Sequence, residues 1–222
     1  MMNNNNSQSK PDPNKSVCIY LVRHGETDWN KNHLFQGRAD IPLNSVGRAQ
    51  AQAVALALKR VPLTAIYSSP LKRALETARI IKVYHPTAPV FEESGLIEMD
   101  LGDFDGMEAR HWAERYPNLL ALWKSKPSMM KMPGGEGLKD VQARAVETLE
   151  SILERNKNGS QLLLISHNFV ITALLCHACG KSLDRFRELR QETAAMNILY
   201  KQGNSLWAEK VNDQSHLDKY IR

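Results

Sequence analysis

The chain is expected to fold as an α/β three-layer sandwich, with a mostly parallel sheet and helices on both faces. Three observations predict it. Apolar runs too short for helices occur at residues 17–22 and 161–166, and each delivers a histidine at its end, His24 and His167. Further short strand-like runs stand at 65–68 and 90–93. Stretches with apolar residues at helical spacing alternate with these runs, the order expected of parallel strands joined by helical crossovers.

Length and composition set the bounds. The 222 residues, 42% hydrophobic and 24% charged, suffice for a substantial core in one domain. Residues 1–15 are rich in Asn, Ser and Pro and are expected to form a disordered tail, leaving 16–222 as a single domain. Within it, about 104–132 is expected to be an inserted, lid-like segment. No apolar run approaches the ~20 residues of a membrane span. The N-terminus lacks a signal-peptide core, so the expected location is cytoplasmic. The net charge of +5 is spread along the chain, which points away from nucleic acid and towards a small anionic ligand. Of the three cysteines, Cys176 and Cys179 flank His177 on an expected buried helix face. Without a second ligand cluster they read as packed thiols, and no metal is expected. No sequence feature bears on oligomeric state.

The first strand leads into Arg23-His24-Gly25-Glu26-Thr27-Asp28-Trp29-Asn30. Its C-terminal end is where open α/β sheets hold ligands. An arginine is a permanent, forked cation, and a histidine can be a neutral nucleophile or base near pH 7, a pairing that suits a phosphate ester. Gln36 and Gly37 come next, and then Asn44 is expected to cap a helix running to about Arg60, with Ala49, Ala53, Leu56 and Ala57 on its buried face. After the strand at 65–68, Ser69 as N-cap with Pro70 at the first position predicts another helix, with Arg73 in its first turn beside free N–H groups. Lys72 and Arg79 read as solvated. The strand at 90–93 leads to several carboxylates, Glu92, Glu93, Glu98, Asp100, Asp103 and Asp105, among which the residues alone do not decide.

The next segment carries Trp112, Tyr116, Trp123, Met129, Met130 and Met132, residues that either line an adaptable pocket or pack as cover. After the turn at Pro133–Gly137, Val141, Ala145, Leu149 and Ile152 mark one face of a helix. The strand ending at Ser166 and His167 repeats the architecture of the first, and its placement beside the first would bring His24 and His167 to one pocket. Residues 196–201 and 206–211 are expected to pair as the last two strands.

The strings R-H-G-E-T-x-W-N, S-S-x-L-x-R-A-x-x-T-A, L-x-E-x-x-x-G-x-F-x-G and S-H-x-x-V-I resemble, in order, the motifs of the histidine phosphatase (phosphoglycerate mutase-like) superfamily. The segment 183–197 is loosely similar to α-ribazole phosphatase-like members. The resemblance implies a phosphohistidine mechanism without metal or cofactor. His24 would be the nucleophile and Glu98 the acid. Arg23, Arg73, His167 and Asn30 would cradle the phosphoryl group, with Gln36, Gly37 and Asn168 as further substrate contacts. Asn168 stands where the family more often has glycine. The partner implied is a small phosphorylated metabolite.

Three readings are open: a metal-independent monoester phosphatase, a cofactor-dependent phosphoglycerate mutase, and a catalytically silent binding member. The family's mutases follow the acid with E-R-x-Y-G and carry a longer segment before the P-G-G-E turn. Here Glu98-Met99-Asp100-Leu101-Gly102 stands instead, and Asp100 is expected to repel a second anion.

Overall fold

The computed structural model describes Asp12 and residues 14–220, the side chain of Tyr220 excepted. The expected tail therefore lies mostly outside the described residues. At its end, the Asp12 carbonyl accepts from the Lys15 N–H and the Ser16 hydroxyl, closing a turn just before the first strand.

In chain order the elements are β1 (Val17–Arg23), α1 (Asp28–Lys31), α2 (Ser45–Leu58), β2 (Ala65–Ser68), α3 (Lys72–Lys82), β3 (Val90–Glu92), α4 (Ala109–Arg115), α5 (Pro117–Ser125), α6 (Leu138–Glu154), β4 (Gln161–Ser166), α7 (Asn168–Ala178), β5 (Met196–Gln202), β6 (Ser205–Asp213) and α8 (Ser215–Tyr220). The sheet order is β3-β2-β4-β1-β5-β6. β1 runs parallel to β4 with Arg23 opposite Ser166, and antiparallel to β5. The last two strands pair antiparallel at the sheet's edge, as expected.

Alternation along the strands divides the interior into two cores. Ile19, Leu21, Leu162 and Leu164 face α6 and α7, and Val22, Leu163 and Ile165 face α2 and α3. Each such side chain, fully buried, contributes about 1.5–3 kcal/mol. β4 is apolar on both faces, so alternation alone does not fix its register. Its C-terminal end does: the Ser166 hydroxyl donates to the Leu96 carbonyl at 2.7 Å, and the His24 N–H donates to the Ser166 carbonyl at 3.1 Å.

Several local expectations are corrected. Asn44 does cap α2, accepting from the Gly47 N–H, but the buried face is Ala51, Ala53, Val54, Ala55 and Leu58. Ala49 is exposed, and Leu56 and Ala57 are only partly covered. Small residues surround this helix on most sides, so periodicity had no unique phase. α3 begins at Lys72, not Pro70, and its cap position is Leu71. Cys176 faces the core, but Cys179 lies past the helix end and is exposed, so the two do not share a buried face. The expected face of α6 is buried, with Leu138 added.

The segment from Gly95 to Glu98 runs from a single 3-10 turn, Ser94–Leu96, into extended chain, and one side chain of α6 satisfies its carbonyls. Arg144 donates to the carbonyls of Gly95 (2.8 Å), Ile97 (2.7 Å) and Glu98 (3.2 Å). Its remaining donors grip Glu136 at 2.9 and 3.0 Å, and Glu136 in turn accepts from the Asp100 N–H. Burial pushes the Glu136 carboxyl up, but the hydrogen bonds from Arg144 and the Asp100 N–H, with the charges of Arg144 and Arg38, together outweigh it and hold it low. Replacing Arg144 by Met should cost about 2–4 kcal/mol in urea unfolding, because it strands three carbonyls and leaves the partly buried Glu136 carboxylate to Arg38 and the Asp100 N–H. Arg144→Lys should recover only part, since an ammonium cannot span a fork of acceptors. A loss below about 1 kcal/mol would show that the Glu98 loop holds itself.

Candidate active site

β1 and β4 end side by side, and their register sets the positions of the two histidines just beyond them. His24 and His167 lie one residue past paired positions, and their ring centroids are 5.0 Å apart. Both rings are almost wholly buried, as are Arg73 and Glu98. The expectation that the two strand-end histidines meet is met.

The His24 Nδ1 lies 2.7 Å from the Gly25 carbonyl. A carbonyl only accepts, so Nδ1 carries the proton and Nε2 keeps its lone pair. Burial, followed by the charges of Arg73 and Arg23, pushes this imidazole well below the ordinary histidine range. The ring is neutral at neutral pH. Backbone geometry holds the turn: a Cβ on Gly25 would collide with the Gly47 carbonyl oxygen, so the His24 loop and α2 meet backbone to backbone.

Arg73 enters from the first turn of α3. Its Nη1 and Nη2 donate to the carbonyls of Ala39 and Gly37, both at 2.7 Å, and its Nε donates to His167 Nδ1 at 3.3 Å. Burial lowers this guanidinium to about 10, so it remains charged. Because Nδ1 of His167 accepts, its Nε2 carries the proton and donates to Ser69 Oγ at 2.7 Å. Burial, with Arg73 next, holds His167 well below the ordinary range too. Ser69, read from the sequence as a helix cap, is thus a histidine partner. The α3 N-terminus offers less to a ligand than expected, because the Lys72 N–H donates to Asp40. Lys72 itself is exposed and pairs with Asp40.

Arg23 donates through Nη1 to the Gln191 carbonyl at 2.6 Å, while its Nε is buried with no acceptor among the described residues. Both arginines keep N–H groups beyond those bonds, and a guanidinium has five. Glu98 receives the N–H groups of Met99 (2.8 Å) and of Phe169 (3.3 Å), the latter in the first turn of α7. Burial raises its pKa, and these donors and the two arginines only partly oppose the shift. The site therefore holds two cations, Arg73 buried and Arg23 partly so, against one buried acid whose charged form is disfavoured. It attracts an anion.

A cleft of about 520 Å³, open to solvent, is lined by Arg23, Asn30, Leu34, Phe35, Gln36, Glu98, Leu101, Asn168, Phe169 and Arg190. Asn30 Oδ1 closes a capping box with Thr27, and Gln36 Oε1 accepts from the Thr27 hydroxyl. The Gln36 Nε2 is buried without a partner among the described residues, and Asn168 Oδ1 accepts from the Gln191 N–H. Gly37 does not fit the substrate-contact expectation. Its N–H is spent on Asp105, its carbonyl on Arg73, and a Cβ there would meet the Met99 carbonyl oxygen at 2.8 Å.

Two acidic residues also change role. Asp100 does not line the cleft; it pairs with Arg38 at 3.2 Å and accepts from the Gly102 N–H, so it is a poor source of repulsion. Asp105 accepts from the N–H groups of Gly37 and Ala39 and shapes the loop that Arg73 grips. Sequence reading missed Ser69, Gln191, Arg144 and Arg190. The site partners of Ser69, Gln191 and Arg144 are remote in the chain, and Arg190 reaches the cleft only through the fold.

Comparison with known proteins agrees with this arrangement. Residues 19–214 match the model of the histidine phosphatase superfamily (branch 1). Phosphoserine phosphatase 1 of Hydrogenobacter thermophilus is 32% identical over 204 residues, which is 92% of this chain and 96% of the relative. A probable phosphoglycerate mutase, GpmB of Shigella boydii, is 32% identical over 90% of this chain and 94% of its own. The solved structure of Bacillus stearothermophilus YhfR superposes with a TM-score of 0.85 at 31% identity, covering 90% of this chain and 99% of that one. A strand-end histidine beside a second one, two arginines and a buried acid thus sit in a matching sequence and fold, and the chain belongs to the histidine phosphatase superfamily, branch 1.

Proposed function

We propose that the protein is a metal-independent phosphatase that hydrolyses small phosphate monoesters through a phosphohistidine. The observation that carries this reading is the bare Nε2 of His24, held neutral beside the buried Arg73 and the partly buried Arg23 guanidinium groups. A phosphate dianion repels nucleophiles until its charge is neutralised. Arg23 and Arg73 do this with charge-assisted hydrogen bonds to the nonbridging oxygens, taking the place a metal holds in other phosphatases. Nε2 then attacks phosphorus in line as the ester P–O bond breaks. Protonated Glu98 gives its proton to the departing alkoxide, which leaves as the alcohol. Water next attacks the phosphohistidine while Glu98 takes one of its protons. The P–N bond breaks, inorganic phosphate leaves and His24 is again neutral. His167 acts here as the partner that orients Arg73, and the Asn30, Gln36 and Asn168 amides are placed to hydrogen-bond the phosphoryl group or the ester.

Hydrolysis is favoured over mutase transfer by the composition of the cleft wall. Beyond Glu98 it presents Leu101, Phe35 and Phe169, with Arg190 the cation added to Arg23 among its described lining. That wall has no second buried cradle for a further phosphate.

Rapid quenching of the wild-type protein with a labelled monoester should trap acid-labile phosphate, and His24→Ala should trap none and lose at least about 1,000-fold in kcat/KM. Label recovered on another residue would overturn the assignment. Activity should survive exhaustive EDTA treatment, and rescue by added metal would contradict the arginine-only account. In a coupled assay, phosphate release should exceed interconversion of 2- and 3-phosphoglycerate at least tenfold.

Both histidines also set the acid stability. Their folded pKa values lie below the unfolded value near 6.5, so their contribution is present above pH 6.5 and is lost as pH falls below it. Between pH 7.5 and 5.5 each should cost about 1.3 kcal/mol while the folded ring stays neutral. Glu98, raised by burial, acts in the opposite sense, gaining stability as pH falls towards the unfolded carboxyl range. His24→Asn should therefore lessen the acid loss by one histidine's share in urea titrations at the two pH values. The kcat/KM profile should fall at high pH through the raised Glu98 pKa, and Glu98→Gln should abolish that limb together with most of the activity.

A further inference from the structure

The polar cleft does not end at its own wall. Phe35, Leu101 and Phe169 belong equally to a second, small apolar cavity of about 40 Å³, completed by Phe104, Trp112, Trp123 and Met132. The two spaces therefore share one side, with Glu98 on the polar part. The roof comes from the 104–132 segment and is braced by ring contacts. Trp112 packs edge-on against Phe35 and Phe104 at 5.7 and 5.9 Å, and Trp123 packs against Phe169 and Phe186 at 5.9 and 5.1 Å. The indole N–H of Trp112 is buried without an acceptor among the described residues.

The position of Glu98 gives this cavity a meaning. The acid must stand against the ester oxygen, so the carbon side of that oxygen points away from the arginines and along the shared wall. We propose that the apolar cavity receives the leaving group, and that the enzyme selects phosphate monoesters of apolar alcohols over those of compact, charged ones such as serine. This rests on the phosphatase reading above. A carboxylate-bearing alcohol would instead depend on Arg190, which is solvent-exposed and only distantly paired with Glu192 at 4.0 Å. An exposed guanidinium on a rim contributes little compared with burial of several methylenes.

The test is a series of primary alkyl phosphates, methyl, ethyl, butyl and hexyl, together with phosphoserine, assayed for phosphate release. These alkyl leaving groups have nearly equal basicity, so kcat/KM reports binding of the chain and not its reactivity. Each methylene that enters the cavity should raise kcat/KM by up to about fourfold, making butyl phosphate at least tenfold better than ethyl. Hexyl phosphate should also exceed phosphoserine. Trp123→Ser should lower the hexyl-to-ethyl ratio at least fivefold. A flat alkyl series with phosphate still released, or phosphoserine preferred over hexyl phosphate, would overturn the leaving-group assignment and leave the phosphatase reading standing. No phosphate release from any ester would overturn the phosphatase reading itself, and the assignment with it. Because the series is run on the unaltered protein, the outcome does not depend on whether the variant folds.

Discussion

A buried guanidinium needs acceptors, and the way Arg73 finds them organises this site. It lies wholly inside the protein, and its three bonded donors reach two loop carbonyls and a histidine nitrogen. Each partner then has its own geometry imposed. The carbonyls of Gly37 and Ala39 are turned inward, which leaves their N–H groups to Asp105. His167 must expose a lone pair at Nδ1, so its proton sits on Nε2 and requires Ser69. One cation thereby specifies a loop, a tautomer and a serine rotamer. It also keeps surplus N–H groups and a charge that no carboxylate fully cancels, since burial weakens the only fully buried acid nearby.

The legible part of the fold was the part whose cause is local. The apolar strands, the cap at Asn44 and the stripe on α6 each follow from a period or a capping oxygen within a few residues. The same holds for Arg23, His24, Arg73, Glu98 and His167, which stand inside compact motifs and do come together. Expectations failed where two local causes competed or where a remote partner decided. In α2, alanines fill so many positions that several phases fit, and contact with α3 chose among them. Ser69 and Pro70 had the pattern of a helix start, but a hydroxyl hydrogen-bonded to a buried histidine is better satisfied than one capping a solvated helix end. Gly37 and Asp100 stood in suggestive places, yet both are consumed in holding the loops together. Arg144 could not be read at all, because a lone arginine on an amphipathic helix ordinarily means a solvated face.

Two kinds of surface meet in the cleft, and they have different origins. The end with the arginines and histidines is made by strand ends and helix starts, elements pinned by the sheet. The other end is made by Phe35, Leu101, Phe169 and the 104–132 segment, whose two short helices α4 and α5 pack through rings and not through the sheet. Aromatic packing tolerates repositioning better than a network of matched donors does. Chemistry and substrate choice are thus placed on scaffolds of different stiffness.

The anchor of Arg23 lies far along the chain. Its acceptor is the carbonyl of Gln191, whose side-chain amide oxygen is held by Asn197 of β5, and Asn197 in turn receives the N–H of Asn212 in β6. Arg23 is made well before Gln191, Asn197 and Asn212, and this relay closes only when β5 and β6 are paired. A nascent chain that already possesses β1, β2 and β4 therefore still lacks the acceptor that orients Arg23. The completion of the outer strands acts as a late checkpoint: a partly made chain can have most of its sheet without having a competent site.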